Sequence, residues 1–504
     1  MRRPCGSTSC ELLAATMQGV YTVLKLIQTD TSDEKPKVSH RMIDPRASVL
    51  PGLLLAGLIG LLMVLADLPT PMVVTGTTAA ICVMWWIFEP IPIPVTSLLP
   101  LALMPLFGVL TPAETGAAYG SPLILLLMGG FLLSRGMESS GAHRRLALGV
   151  VRVVGGDSPR RLVIGFMLAG ASLSMWISNT ATVLMLLPVA LAVLDSAEQK
   201  ESLQVPLLLG LAWACSIGGL GTPIGTPPNL IFMQVYEDST GQQIGFIQWM
   251  SVAIPVVLAM IALAALWVTR GLPRAIPVLL PPPGAWRSAE RRVLVIFGLT
   301  ALVWMTRAEP FGGWREWLGV PAANDASVAF LAVVALFITR DREGDPLITW
   351  REAAEIPWGV LLLFAGGICL AKAFVSSGLS EIAGEALVTL TTLPILLMTL
   401  LICLAVTFMT EATSNTATTA LLMPILAAAG LAAGIDPVLL MIPAAMSASC
   451  AFMLPVATAP NAVVYGTDRI PIQVMFREGL VLNLIGAVVT ASLLWWLLPV
   501  LVVR

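Results

Sequence analysis

Ser178-Asn179-Thr180-Ala181-Thr182-Val183-Leu184-Met185-Leu186-Leu187-Pro188 and Ser414-Asn415-Thr416-Ala417-Thr418-Thr419-Ala420-Leu421-Leu422-Met423-Pro424 decide how this chain is read. Five consecutive residues match, and a proline follows each serine at the same offset, in a chain poor in asparagine. A second matched pair comes after them in the same order. Gly225-Thr226-Pro227-Pro228-Asn229 follows the first stretch and Ala457-Thr458-Ala459-Pro460-Asn461 the second. Asn179 to Asn229 is 50 residues and Asn415 to Asn461 is 46. Each half of the chain thus supplies a polar tip and then a proline-broken segment, the mark of an internal repeat.

The repeats lie in an apolar chain. Of 504 residues, 57% are hydrophobic and 12% charged, with mean hydropathy +0.88, whereas a soluble domain carries about 25% charged residues. Runs able to cross a ~30 Å hydrocarbon core recur from Leu50 nearly to the C-terminus, so the fold class is an all-α polytopic membrane protein in a lipid bilayer. A net charge of −2 excludes nucleic acid as a partner. Five of the seven cysteines (Cys82, Cys215, Cys369, Cys403, Cys450) fall in apolar runs and read as core; Cys5 and Cys10 do not, and none forms a C-x-x-C pair. With His40 and His143 the only histidines, both in polar segments, and no phosphate-loop motif, hydrolase, histidine–metal and ATPase chemistry lose their support, and the chain reads as no enzyme.

Basic residues orient the segments. Residues 1–46 read as a cytoplasmic N-terminal tail with a weakly apolar stretch from Leu12 to Leu26, and 47–503 as the membrane domain. The first span is expected from Ser48 to Leu65, followed by crossings near 72–88, 92–109 and 121–137. The stretch from Gly120 to Arg135 is short for a span, which tilt or bilayer thinning would have to accommodate. Arg144 to Arg161, Arg270 to Arg292, Arg340 to Arg351 and Arg469 to Arg477 are expected as cytoplasmic loops. Those constraints turn 162–197 and 392–430 into re-entrant hairpins from opposite faces, each followed by a broken helix, 204–236 and 437–467. About eleven transmembrane helices and two hairpins result, with the C-terminus outside. The repeats, about 72–269 and 293–503, are then inverted.

A proline break in an apolar helix strips backbone groups of their partners and persists only where it is buried in protein or lines a cavity. Freed carbonyls with Ser, Thr and Asn oxygens suit Na⁺, while helix N-termini suit an anion. Residues 162–194, 204–236 and 437–467 hold no Lys, Arg, Asp or Glu, and 392–435 holds only Glu411. A dianion there depends on dipoles, hydroxyls, amides and co-bound Na⁺, which couples the two ligands electrostatically. A lone S-N-T packs or back-bonds and a lone P-P-N makes a turn, but their duplication in charge-free segments favours a binding site. Glu411 fits a structural or gating role as well as ion contact. Trp176, Trp213, Trp495 and Trp496 read as packing or interfacial anchors, and Lys372 and the Arg144/Arg145 pair as snorkelling or solvated cations.

The paired S-N-T tips, the G-T-P-P-N break and the run from Cys450 to Asn461 (C-A-F-M-L-P-V-A-T-A-P-N) resemble the divalent anion:sodium symporters, which include dicarboxylate, citrate and sulfate carriers. The resemblance covers roughly residues 47–503. It implies a homodimer whose protomers each join a scaffold to a transport domain that moves as an elevator. It further implies a first Na⁺ site at Ser174, Ser178, Asn179 and the backbone of Gly225, and a second at Thr410, Asn415 and the backbone of Thr413 and Ala457. Substrate carboxylates would meet Asn179, Thr180, Asn415 and Thr416, with Thr226 and Thr458 lining the pocket. Ala459 departs from the proline that many relatives have there, and Thr226 stands where some have Ser, which leaves selectivity open.

The reading is a secondary active transporter coupling Na⁺ entry to uptake of a C4-dicarboxylate such as succinate, malate or fumarate, in a cell membrane, expected to be a bacterial inner membrane. Na⁺-independent dicarboxylate exchange and Na⁺/sulfate symport are the alternatives on the same fold. A passive channel or a membrane-embedded enzyme has less behind it, since no pairing of nucleophile and base is present.

Overall fold

The computed structural model describes residues 45–155, 158–196, 200–272, 285–308, 312–382 and 393–502. The expectations for residues 1–44, Cys5, Cys10 and His40 included, fall outside that set. Every regular element among the described residues is helical, apart from one antiparallel bridge between Arg340 and Pro346. Among the described residues, seven segments are long and apolar enough to cross a membrane: Thr70–Phe88, Pro112–Ser140, Glu201–Gly219, Phe246–Val268, Trp358–Ser377, Asn415–Ala432 and Ile472–Leu498. Shorter apolar helices include Val49–Leu65, Ile93–Leu106 and Asp325–Ile338. The chain is a multi-pass membrane protein.

The helices run in order α1 Pro45–Leu65, α2 Thr70–Phe88, α3 Ile93–Thr96, α4 Leu99–Leu106, α5 Pro112–Tyr119, α6 Pro122–Ser140 and α7 Ala142–Gly155. Next come α8 Pro159–Ser174, α9 Asn179–Ser196, α10 Lys200–Gly219, α11 Pro227–Thr240 and α12 Phe246–Val268. The remainder are α13 Ser288–Met305, α14 Gly313–Trp317, α15 Asp325–Ile338, α16 Trp350–Ala354, α17 Trp358–Ser377, α18 Ile395–Thr410, α19 Asn415–Ala432, α20 Val438–Ala448, α21 Ala459–Tyr465 and α22 Ile472–Val502.

Three expectations change here. The segment that looked short is not: α5 runs into α6, and together they make a 29-residue span from Pro112 to Ser140. Thr111 starts α5 with a reciprocal cap to Glu114, and Ser121 caps α6, so polar residues restart the helix rather than end it. The basic segment from Arg144 onward is not a loop but α7, an amphipathic helix whose Ala147, Leu148 and Val151 are buried while Arg144 is exposed. It lies along α8. Arg145 is no solvated cation either. It pairs with Glu290 at 2.8 Å and stacks over Trp286, tying α7 to the start of α13.

Contacts between the helices repeat between the halves. The first limb of each helix pair packs on the first half of the broken helix that follows it, α8 on α10 and α18 on α20. The second limb crosses over to the other half, α9 on α21 and α19 on α11. Long helices back both sets, α12 against α8 and α10, and α22 against α18 and α20. The five cysteines in apolar runs are buried and unbridged, as their setting suggested.

Backbones approach most closely where glycine allows it. A Cβ on Gly218 of α10 would lie 2.5 Å from Ala171 Cα of α8, and one on Gly479 of α22 2.6 Å from Met453 Cα. Neither neighbour is a flexible side-chain end, so the helices must separate to admit a methyl. Gly218→Ala and Gly479→Ala should each lower stability by about 1–3 kcal/mol, read as a fall in the thermal unfolding midpoint of purified protein; an unchanged midpoint would contradict this packing.

Candidate functional site

Both polar tips and both breaks meet at one cavity of 390 Å³. Four helices begin on its wall, α9 at Asn179, α11 at Pro227, α19 at Asn415 and α21 at Ala459. Helix N-termini carry partial positive charge and unpaired N–H groups, so their convergence favours an anion. No Lys, Arg, Asp or Glu is among the described residues lining the cavity. Of the six residues singled out for substrate, all line it: Asn179, Thr180 and Thr226 from the first half, and Asn415, Thr416 and Thr458 from the second.

The residues singled out for cations divide. Ser178, Gly225 and Ala457 line the cavity, while Ser174 and Thr410 are fully buried behind it. Ser174 Oγ donates to Asn179 Oδ1, and Thr410 Oγ1 donates to Asn415 Oδ1 at 2.7 Å, the same bond in both halves. Thr413 turns its hydroxyl away, to Met409 O at 2.9 Å and to Thr418 Oγ1 at 2.5 Å. The hydroxyl is thus engaged in bonds within its own half.

The breaks are built alike. Asn229 is fully buried, and its Nδ2 donates to Thr222 O at 2.8 Å and Gly219 O at 3.1 Å. Asn461, fully buried too, donates to Leu454 O at 3.1 Å and Ala451 O at 3.2 Å. Each amide gathers carbonyls that the break has released from helix bonding. The halves differ at the helix starts. Pro227 and Pro228 open α11 without an N–H, whereas Ala459 opens α21 with one, ahead of Pro460. Thr458 caps α21 by accepting from Asn461 N at 3.2 Å, while Thr226 makes no cap bond.

Glu411 resolves toward structure. Its carboxylate accepts from the backbone N–H groups of Phe452 (2.7 Å), Met453 (2.9 Å) and Leu454 (3.0 Å), and from Asn483 Nδ2 at 2.7 Å. It therefore supplies the partners that the second break lacks. In the first half the equivalent tie is neutral, Thr222 Oγ1 to Met175 O. Trp213 is core, with Nε1 donating to Phe452 O at 3.1 Å, and Trp495 and Trp496 are exposed. Trp176 packs on Phe246 and Phe297 and also forms part of the cavity wall.

A family model described as citrate transporter matches residues 83–441, both tips and the first break included. A protein of Staphylococcus saprophyticus, named sodium-dependent dicarboxylate transporter SdcS, is 38% identical over 439 residues, covering 82% of this chain and 84% of its own. The protein of that name from Staphylococcus aureus strain NCTC 8325 is 37% identical over 482 residues, covering 90% and 92%. The chain belongs to the divalent anion:sodium symporter family. Among solved structures, the chain shares its fold with the Alcanivorax borkumensis YdaH transporter (TM-score 0.54, 16% identity, 78% of this chain and 88% of that one). The Neisseria gonorrhoeae MtrF structure is similar at TM-score 0.51 and 13% identity, covering 76% and 83%.

Sequence reasoning missed three parts of the site region. Asn483 lies 72 residues from Glu411 on α22, with no motif to mark it. Phe131 and Ser134 of α6 complete a wall that neither repeat motif announces. Ser216, one turn before the first break, lines the cavity from within a run otherwise apolar. Its position three residues before Gly219 was the available signal.

Removing the Glu411 carboxylate should strand the N–H groups of Met453 and Leu454 and the Asn483 Nδ2, each costing about 1–3 kcal/mol, while the Phe452 N–H keeps Asn483 Oδ1 at 3.1 Å. Glu411→Ala should thus unfold at a clearly lower temperature than wild type with or without Na⁺. A destabilisation seen only in Na⁺ would instead assign the carboxylate to the ion.

Proposed function

We propose that this protein is a secondary active transporter that couples Na⁺ entry to uptake of a C4-dicarboxylate. The single observation that carries the reading is the convergence of two matched Ser/Thr–Asn pairs and four helix N-termini on one cavity with no charged side chain among its described lining. A dianion in such a cavity has only partial positive charges around it, and bringing it alone out of water is costly. Cations held on the oxygens of Ser174, Ser178, Asn179 and Gly225, and of Thr410, Thr413, Asn415 and Ala457, supply the missing charge. The anion in turn lowers the cost of the cations. Each ligand raises the affinity of the other, which is the linkage a symporter needs.

The names of the staphylococcal relatives support Na⁺ and dicarboxylate as the pair. A short dianion with carboxylates at both ends matches a site whose two halves each present an Asn–Thr tip, Asn179-Thr180 and Asn415-Thr416. Thr226 and Thr458 then set the width of the pocket between them. Ala459 adds a backbone donor to the second half where its counterpart Pro227 offers none. The tips and breaks (162–197 with 204–236, 392–430 with 437–467) form the moving unit of an elevator within inverted repeats of about 72–269 and 293–503. The helices around α2–α6 and α13–α17 form the scaffold of a homodimer. The cross-packing of α9 on α21 and of α19 on α11 supports a unit that moves as one body. Residues 1–46 lie on the cytoplasmic side of a bacterial inner membrane in this reading.

Labelled succinate uptake into proteoliposomes tests the coupling. An inward Na⁺ gradient should drive accumulation with an empty lumen, and K⁺ should not replace it. Asn179→Ala and Asn415→Ala should each cut that uptake roughly ten- to a hundredfold, the scale of a lost hydrogen bond to a charged group. Uptake that ignores Na⁺ and requires internal succinate would replace symport by exchange.

A further inference from the structure

Ser216 belongs to α10, in the last turn before the first break, and is 1% exposed. It lines the central cavity, yet its Oγ has no hydrogen-bond partner. A buried hydroxyl without a partner costs free energy, so one facing a cavity built for ions calls for a ligand. The face on which it lies is fixed by Gly219, three residues on and therefore on the same side of the helix. A Cβ at Gly219 would stand 2.7 Å from Asn179 Oδ1. Ser216 thus faces the tip of the first half, one turn below the point where that tip touches α10.

The second half has no such group. The offset of 232 residues that relates Asn229 to Asn461 also relates the carbonyls they hold, Gly219 to Ala451 and Thr222 to Leu454. Carried one turn back, it places Ala448 opposite Ser216. Ala448 is buried and bears only a methyl, and its carbonyl is taken by Thr410 Oγ1 at 3.0 Å. Ser449, the next residue, is buried and unpartnered as well, but it does not line the cavity.

We propose that Ser216 Oγ is an additional ligand of the Na⁺ held by Ser174, Ser178, Asn179 and Gly225, making the two cation sites unequal, the first having five protein ligands and the second four. Hard cations bind in proportion to the oxygens that replace their water, so the first site is the tighter and fills first. The inference rests on the Na⁺-coupled reading above.

Ser216→Ala removes one oxygen and nothing else. Without Na⁺ the hydroxyl only costs stability, so the variant should unfold at the wild-type temperature or above it when choline replaces Na⁺ at constant ionic strength. The Na⁺-induced rise in unfolding temperature should shrink. In proteoliposomes the Na⁺ concentration for half-maximal succinate uptake should rise roughly tenfold, while the succinate KM at saturating Na⁺ stays put. Ser449→Ala is the control and should leave the Na⁺ dependence at the wild-type value. A Ser216→Ala protein with wild-type Na⁺ dependence overturns the ligand role. So does a change confined to the succinate KM, which would make Ser216 a substrate contact, or an equal loss of stability with and without Na⁺, which would make it structural. A wild-type protein that shows no response to Na⁺ at all would instead sink the symport reading, and this inference with it.

Discussion

Between Gly219 and Pro227, and again between Ala448 and Ala459, the main chain leaves the helix in the interior of an apolar protein. Backbone groups released there have no water to turn to, and each must find a partner or impose a penalty. Everything about the site follows from how that debt is met. Asn229 and Asn461 take up carbonyls with their amides, and the carbonyls so gathered are held convergent rather than scattered. The starts of four helices and the two tips are left facing the cavity.

The two halves meet the same constraint by different chemistry. In the first, tip and break are tied by a hydroxyl to a carbonyl, Thr222 to Met175. In the second, a carboxylate collects three backbone N–H groups and the Asn483 amide. An acceptor of that capacity holds a longer break, ten residues against seven, and it does so from a position one residue after Thr410 and four before Asn415. Structure and site are therefore adjacent in the chain but distinct in their partners.

Much of this was legible in the sequence, and the reason is physical. Proline and asparagine inside an apolar run are expensive, so Thr226-Pro227-Pro228-Asn229 and its partner mark themselves, and their duplication announces that the expense serves a purpose. Ser174 and Thr410 were reachable only through the family resemblance, because a single hydroxyl in a membrane helix is ordinary. The restart of α5 into α6 was not legible from hydropathy, since Glu114 and Gly120 interrupt the apolar window although the caps at Thr111 and Ser121 favour helix. The Arg145–Glu290 pair spans 145 positions and the Glu411–Asn483 bond 72, distances over which one sequence carries no pairing signal. A count of basic residues sorted Arg144 to Arg161 to one side of the membrane but could not tell a loop from the amphipathic α7, whose buried face alternates with arginines at helical spacing.

A cavity assembled from two near-copies has near-twofold symmetry, and a ligand with two like ends can enter such a cavity either way round. For it the two orientations are almost one state, and the small differences between the walls hardly matter. A ligand whose ends or middle differ meets two unlike choices. The N–H of Ala459 against the imino ring of Pro227, and the capped Thr458 against the uncapped Thr226, would then make those choices unequal. The direction in which such a ligand lies would be set by these few departures from perfect duplication.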